Sequence, residues 1–350
     1  MYKIVLTGGG TAGHCTPNVA LLPYLKKSFN EIHYIGSFNG IEKDIIAKEQ
    51  IPYHSITTVK FDRSSKLSLL KIPFRLIRAV KEAKKILLDI MPNVIFSKGG
   101  YVSVPVVIAG YLLKIPVISH ESDLTLGLAN KTTAKFCNKI LTTFPETTKK
   151  IKNSYHVGPP LRKSLFNQDK SYAKKYFNIK TKKPILLITG GSQGAKTIND
   201  CIRKDLDNLL KHFEIIHLCG KSNLDTSIKN KQYHQLEYLD KIELAYSIAD
   251  VCVTRGGSNT LFELISLKIP SLIIPLPKGN SRGDQIVNAQ YFCNRHMANV
   301  LYQENISQLR LRQKILQTYK NKEFYAKNIE KNKIKDGCPL IYKIILENMK

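Results

Sequence analysis

A chain of 350 residues, 43% hydrophobic and 23% charged, has room for about two globular domains and too much apolar content for a disordered protein. Its 54 Lys and Arg against 27 Asp and Glu give a formal net charge of +27, which favours an anionic partner: nucleic acid, acidic lipid headgroups or a phosphorylated substrate. Seven cysteines lie scattered without a Cys-x-x-Cys, which argues against a disulfide framework, and the longest apolar run, 102–113, falls short of the roughly 20 residues that cross a bilayer.

The chain enters a buried strand over 3–7 and then a glycine loop at once, which leaves no space for a signal peptide, so a cytoplasmic protein is expected. A helix over 17–27 with Pro17 at its start follows the loop. Strand and helix patterns then alternate: strands over 31–35, 94–97, 117–119 and 139–142, helices over 41–49, 73–89 and 105–113. This alternation predicts a parallel sheet covered by helices. The pattern stops near Gly158-Pro-Pro160, and a Lys-rich stretch to Pro184 marks a boundary between a domain over 1–160 and one over 161–336. A second buried strand, glycine loop (190–195) and helix to about 210 then repeat the opening. A strand over 214–218, helices over 241–249 and 284–295, and a basic helical tail complete the chain, and the apolar face over 340–346 must pack somewhere.

The stretch 249–275 carries the sharpest local signal. A β-branched run over 251–254 meets Gly256-Gly257, and Ser258 or Asn259 is placed to cap a helix whose apolar positions are Leu261, Phe262, Ile265 and Leu267. Such a loop aims backbone N–H groups and the positive end of a helix dipole at an anion, which suits a diphosphate. Glu263, in the first turns of that helix, is suited to accept from the two hydroxyls of a ribose.

Gly8-x-Gly10-x-x-Gly13 after a strand fits a dinucleotide fingerprint, but the second strand ends in Gly36-Ser37 where that fingerprint needs an acid, so NAD is not expected. His14 follows the loop directly and is a candidate proton acceptor. Asp205-Leu-Asp207 has a cation-binding spacing but lies on a predicted helix, which turns its acids apart and reads as a solvated face. No metal site and no cofactor is expected, and Arg162 and Arg255 are the cations suited to phosphate chemistry. Over 60–85 nine basic residues outnumber two acids, and Leu70, Phe74, Ile77 and Val80 form a stripe beside Arg75, Arg78 and Lys81. That pattern suits either a core-facing stripe or a helix lying on an anionic membrane.

In order along the chain, Gly8-Gly-Gly-Thr-Ala-Gly-His14, Gly99-Gly-Tyr-Val-Ser103, His120-Glu121 with Gly127-Leu-Ala-Asn-Lys131, Gly190-Gly-Ser-Gln-Gly-Ala195, Arg255 to Glu263 and Gly283-Asp-Gln-Ile-Val-Asn-Ala289 resemble the motifs of the MurG family. Members of that family transfer N-acetylglucosamine from its UDP ester to lipid I, the undecaprenyl-linked muramoyl pentapeptide, and make lipid II for peptidoglycan. The resemblance spans about residues 3–295. It implies a GT-B fold, two Rossmann-like domains facing a central cleft, with a C-terminal helix (about 337–350) returning to the first domain. It implies inverting, metal-independent chemistry and a peripheral protein on the cytoplasmic face of the membrane. The donor side would comprise Thr11, Ala12, Gly13, Arg162, Ser192, Ile242 at uracil, Arg255, Ser258, Asn259, Thr260, Leu261, Phe262, Glu263 at the ribose and Gln285 at the N-acetylglucosamine. The acceptor side would comprise Gly99, Gly100, Tyr101, His120, Glu121 and Asn130. Ser122-Asp123 stands where some members of the family have Gln-Asn, so either His14 or Asp123 is the candidate base.

Two rival classes make different demands on the sequence. Another GT-B enzyme acting on a lipid or natural product would lack the 120–131 stretch. A nucleic-acid-binding protein would interleave exposed aromatics with its basic residues, whereas 60–85 holds only Phe61 and Phe74. No nucleic-acid partner is expected.

Overall fold

The computed structural model describes residues 1–58, 66–191, 193–279 and 282–350, with the backbone alone over 66–71. It divides into two compact units: Met1–Arg162 with Asp336–Lys350, and Lys163–Lys335.

The first unit runs β1 (Lys3–Thr7), α1 (Thr16–Leu25), β2 (Glu31–Ser37), α2 (Ile41–Ala47), β3 (Tyr53–Ile56), α3 (Lys66–Ile90), β4 (Val94–Ser97), α4 (Val104–Leu112), β5 (Val117–Glu121), α5 (Leu128–Thr133), β6 (Lys139–Thr142), α6 (Pro145–Thr148) and β7 (Ser154–His156). Among the described residues these form a seven-stranded parallel sheet in the order β3-β2-β1-β4-β5-β6-β7, with Ile4 beside Val94 and Leu6 beside Phe96. The central strands β1 and β4 carry continuous apolar runs, 4–6 and 94–96, because helices cover both faces. Ile4 and Leu6 point into one core with Leu21 and Leu25 of α1, and Val5 points into the other with Ala83 and Leu87 of α3.

The second unit runs α7 (Lys170–Tyr176), β8 (Ile185–Thr189), α8 (Lys196–Lys204), α9 (Leu206–Leu210), β9 (Glu214–Leu218), β10 (Tyr233–Leu236), α10 (Ile242–Ile248), β11 (Val251–Thr254), α11 (Ser258–Ser266), β12 (Ser271–Ile273), α12 (Asp284–Asn294), β13 (Asn299–Val300), α13 (Gln308–Lys320) and α14 (Lys322–Asn332). Its described strands form a six-stranded parallel sheet in the order β10-β9-β8-β11-β12-β13. Leu186, Ile188, Val251 and Val253 pack against Ile198 and Ile202 of α8 and Ile315 of α13. The chain then re-enters the first unit as α15 (Cys338–Glu347), whose Cys338, Ile341 and Ile345 are buried in the core that holds α1. All seven cysteines are free thiols.

Three local expectations need correction. The helix predicted over 73–89 begins at Lys66, so Pro73 lies inside α3 rather than at its start. Its buried face is Ala79, Ala83, Leu87 and Ile90; Val80 is half-buried on the same core, while Phe74 (76% exposed) and Ile77 (54% exposed) lie outside it. The predicted helix to residue 210 breaks at Asp205, which is buried and paired with Arg312 Nη1 at 2.7 Å rather than solvated. Finally, Gly257 rather than Ser258 or Asn259 occupies the cap of α11, and no side chain caps it. No helix among the described residues is long and apolar enough to cross a membrane.

Candidate active site

In an open parallel sheet, ligands gather at the carboxyl ends of the strands where the strand order reverses. In the second unit that reversal lies between β8 and β11, and the loops leaving these two strands are the glycine loop 190–195 and the Arg255–Gly257 turn. Gly194 has φ +75°, and a Cβ there would sit 2.1 Å from the Cys219 carbonyl oxygen; only glycine brings this loop down onto the end of β9. Asn199 Nδ2 donates to the same carbonyl at 2.8 Å, and its Oδ1 lies 3.0 Å from His217 Nε2, so a buried polar chain fixes the loop from below. Ser192 lies outside the described residues.

The second turn is held by α12. Gln285 Oε1 accepts from Gly256 N–H at 3.1 Å and from Leu276 N–H at 3.0 Å, which fixes the amide's orientation. Asn288 Nδ2 donates to the Gly256 carbonyl at 3.2 Å. Arg255 is half-buried and donates to the Ile274 carbonyl at 3.1 Å; burial lowers its proton affinity from the ordinary guanidinium value.

Glu263 projects from α11, half-buried, and Oε2 accepts from the Tyr246 hydroxyl at 3.3 Å. Tyr246 lies on α10, the helix that begins at Ile242, so the candidate base and ribose contacts are tied through one phenol. Asn259 and Thr260 are half-buried, whereas Ser258, Leu261 and Phe262 are buried. The Phe262 ring packs edge-on against Phe292 at 5.1 Å, so only the backbone of Leu261 and Phe262 remains for a ligand.

In the first unit the reversal lies between β1 and β4, where the loops 8–14 and 98–103 emerge side by side. They interlock through glycines. A Cβ on Gly10 would meet the Tyr101 ring at 2.4 Å, and one on Gly100 would meet the Gly9 carbonyl oxygen at 2.3 Å and the His14 ring at 3.3 Å. Thr11 caps a single 3-10 turn, Ala12–His14, that sets His14 at the entrance to α1, with Nδ1 2.9 Å from Thr11 Oγ1. Tyr34, fully buried, donates to the Gly8 carbonyl at 2.7 Å.

A carboxyl absent from the sequence reading completes this loop. Glu42 is fully buried; Oε2 accepts from Gly10 N–H at 3.1 Å, and Oε1 accepts from Ser37 N–H at 3.1 Å and Ser37 Oγ at 2.5 Å. An acid therefore does stand by the end of β2, supplied by α2 and turned onto the glycine loop. The pairing Gly40-x-Glu42 after a strand was the available signal, because a Cβ on Gly9 or Gly40 would collide with this carboxyl at 2.6 and 2.2 Å.

The 120–131 stretch forms a support beneath a loop. His120 is completely buried, 3.4 Å from Thr143 Oγ1; burial, and then the nearby Lys98 charge, push its proton affinity well below the usual imidazole range. Glu121 accepts from Asp123 N–H at 3.0 Å, Gly127 N–H at 2.8 Å and Asn130 Nδ2 at 2.9 Å. Gly99, with φ +85°, lies against Asn130 Oδ1, which also accepts from Ser119 Oγ at 3.2 Å. His120, Glu121 and Asn130 thus shape the loop, while Asp123 is half-exposed on it. Arg162 is the half-buried last residue of the unit's first segment.

The chain matches the glycosyltransferase family 28 N-terminal domain over residues 4–142 and its C-terminal domain over 185–340. It is 47% identical, over 99% of both chains, to a Clostridium botulinum (strain Langeland) protein named UDP-N-acetylglucosamine--N-acetylmuramyl-(pentapeptide) pyrophosphoryl-undecaprenol N-acetylglucosamine transferase. A protein of the same name from Clostridium tetani is 46% identical over 98% of this chain and 97% of that one. The crystal structure of Acinetobacter baumannii MurG shares the fold at a TM-score of 0.75 and 20% identity, over 99% of this chain and all of the other. Two Rossmann-like units with glycine loops at both strand-order reversals, and this sequence likeness along the whole chain, place the chain in glycosyltransferase family 28 as a GT-B enzyme of the MurG family.

Proposed function

We propose that the chain transfers N-acetylglucosamine from UDP-N-acetylglucosamine to the 4-hydroxyl of the muramoyl sugar of lipid I, giving lipid II, with inversion at the anomeric carbon and without a metal ion. One observation carries the reading: a Tyr246–Glu263 couple beside two glycine turns, in a chain 47% identical to an enzyme named for that transfer. The second unit would hold the donor and the first the acceptor. The muramoyl O4 bonds to the anomeric carbon as the bond to the β-phosphate oxygen breaks, and UDP leaves with the electron pair. The hydroxyl proton passes to His14 or Asp123. In the tautomer whose Nδ1–H donates to the Thr11 hydroxyl, Nε2 is the His14 nitrogen left to accept that proton. The loops that open α8 and α11, together with Arg255, Arg162, Ser192, Ser258 and Asn259, offer donors and charge to the departing diphosphate. The Gln285 NH₂ suits an acceptor group on the sugar.

Measuring UDP release with and without a lipid I analogue, in EDTA and in magnesium, tests the whole reading. Release that requires the acceptor and survives EDTA is expected; release without acceptor, or only with metal, overturns it. Glu263→Ala is expected to weaken UDP binding by on the order of 2 kcal/mol, roughly thirtyfold in Kd, because a charged partner for two hydroxyls is lost. Calorimetric titration reads this directly, and an unchanged Kd removes Glu263 from the nucleotide site.

A polyprenyl acceptor stays in the bilayer, so the enzyme must come to it. The exposed Phe74 and Ile77, flanked by exposed Arg75, Arg78 and Lys81, supply an apolar edge with cations beside it, suited to the cytoplasmic face of an anionic membrane. Arg78 also pairs with Glu82 at 2.9 Å, and the Leu70 side chain lies outside the described residues. Since neither Phe74 nor Ile77 is in the core, Phe74→Ser with Ile77→Ser is expected to cut binding to phosphatidylglycerol vesicles at least about tenfold with melting temperature unchanged. Flotation assays and calorimetric melts check the two halves; a lowered melt with intact vesicle binding assigns the pair to packing.

A further inference from the structure

Lys98 is a lysine buried to 2% exposure at the end of β4, and the chemistry above makes no use of it. Its backbone N–H donates to the Thr7 carbonyl at 2.8 Å, and its Cβ lies 3.0 Å from where a Cβ on Gly8 would stand. Its Nζ donates to Ser122 Oγ at 2.5 Å. The side chain therefore spans from the floor of the 8–14 loop to the 121–127 turn. A buried ammonium is costly unless charge and hydrogen bonds compensate it. The charged groups acting on it are Glu121 and Asp123, and its own charge acts on the imidazole of His120, which shares β5 with Glu121.

Glu121 is the member with most at stake. Its two oxygens accept from two backbone N–H groups and the Asn130 amide, and together these bonds close the turn that carries Asp123. A protonated carboxyl would turn an O–H toward one of these donors and open the turn. Burial, and then the Asp123 charge, raise the proton affinity of Glu121, and Lys98 opposes them.

We propose that Lys98 is a positioning residue for the acceptor side, a buried counter-charge that keeps the Glu121 clamp ionised and thereby holds the Asp123 turn against the glycine loop. The proposal rests on the transferase reading for its kinetic consequence and on geometry for the rest. Lys98 itself is brought down to about 8, mainly by burial, so its charge is present at neutral pH and fades above that value. The clamp has a working window bounded by protonation of Glu121 below and deprotonation of Lys98 above.

Lys98→Met, nearly isosteric and uncharged, tests this. Removing an opposite charge raises the Glu121 proton affinity, so the acid limb of kcat/KM for a lipid I analogue should move up by about one pH unit. The expected loss approaches about tenfold on the acid side of the wild-type limb and shrinks toward wild type above the shifted one, with calorimetric UDP affinity unchanged. Placing Lys98→Met on Glu121→Gln should produce no further shift of the limb, since the titrating group is gone. A loss equal at all pH values, a fall in UDP affinity, or a limb that still moves in the Glu121→Gln background overturns the proposal in favour of simple packing. A ¹³C carboxyl titration of Glu121 in wild type and Lys98→Met decides the charge relation independently of turnover. If wild type transfers nothing to the analogue, the transferase reading falls, and an unshifted Glu121 titration alone then refutes the role of Lys98.

Discussion

Replacing Gly100 with alanine is expected to reduce kcat/KM by about a hundredfold or more while the protein stays folded. Gly100 has φ +80°, a conformation that costs a non-glycine residue about 1 kcal/mol or more, and the added methyl would sit 2.3 Å from the Gly9 carbonyl oxygen. That neighbour is backbone, so one of the two loops must shift. The displaced atoms include the His14 ring, 3.3 Å from the same point, and misplacement of a reacting group by about 1 Å costs on the order of a hundredfold. Stability should fall by only a few kcal/mol, because the loop lies at the sheet end rather than in a core. Steady-state kinetics beside a denaturant melt checks the separation; near-normal turnover would mean that His14 and the 8–14 loop are not part of the reacting site.

Glu42→Ala is expected to act in the opposite proportion, on stability first. It leaves the Ser37 N–H and hydroxyl without their acceptor in a buried site, and the half-buried Gly10 N–H without its acceptor at the edge of that site. Unsatisfied buried donors cost about 1–3 kcal/mol each, so a loss of roughly 3 kcal/mol or more is expected. Glu42→Gln separates the two sides: its amide oxygen can serve Ser37, but its NH₂ then opposes Gly10 N–H. That variant should melt closer to wild type yet lose activity through a loosened loop. Equal melting of all three proteins would show that water reaches the site and that Glu42 is dispensable.

Much of this architecture was legible because glycine and buried strands leave strong local marks. The runs over 4–6 and 185–188 are apolar on every residue, as a doubly covered sheet demands, and the glycine loops follow closely. The loops' partners were not legible. Glu42 looks like an ordinary acid in the first turn of a helix, and only the folded chain places it on Gly10. The buried face of α3 was not legible either, because Ala79 and Ala83 are small and leave no apolar stripe, while the larger Phe74 and Ile77 stand on the exposed side. Asp205 defeats local reasoning too, since the Arg312 that draws it inward is distant in sequence. Sequence order does not reveal depth either: His120, on the acceptor side by resemblance, is completely buried, and burial pushes its proton affinity well below the usual imidazole range.

The return of α15 to the core beside α1 makes the first unit discontinuous: residues 163–335, a block of 173, lie between its two segments. During synthesis at roughly 5–20 residues per second, the surface that receives Ile341 and Ile345 waits about ten to thirty-five seconds for its partner. The inserted unit is complete before that partner emerges, so vectorial folding on the ribosome favours the later half of the polypeptide. In that interval an apolar stripe on α1, with Leu21 and Leu25 beneath it, is open to chaperones and to other nascent chains. Termination just before Asp336 therefore leaves a complete second unit attached to an unfinished first one.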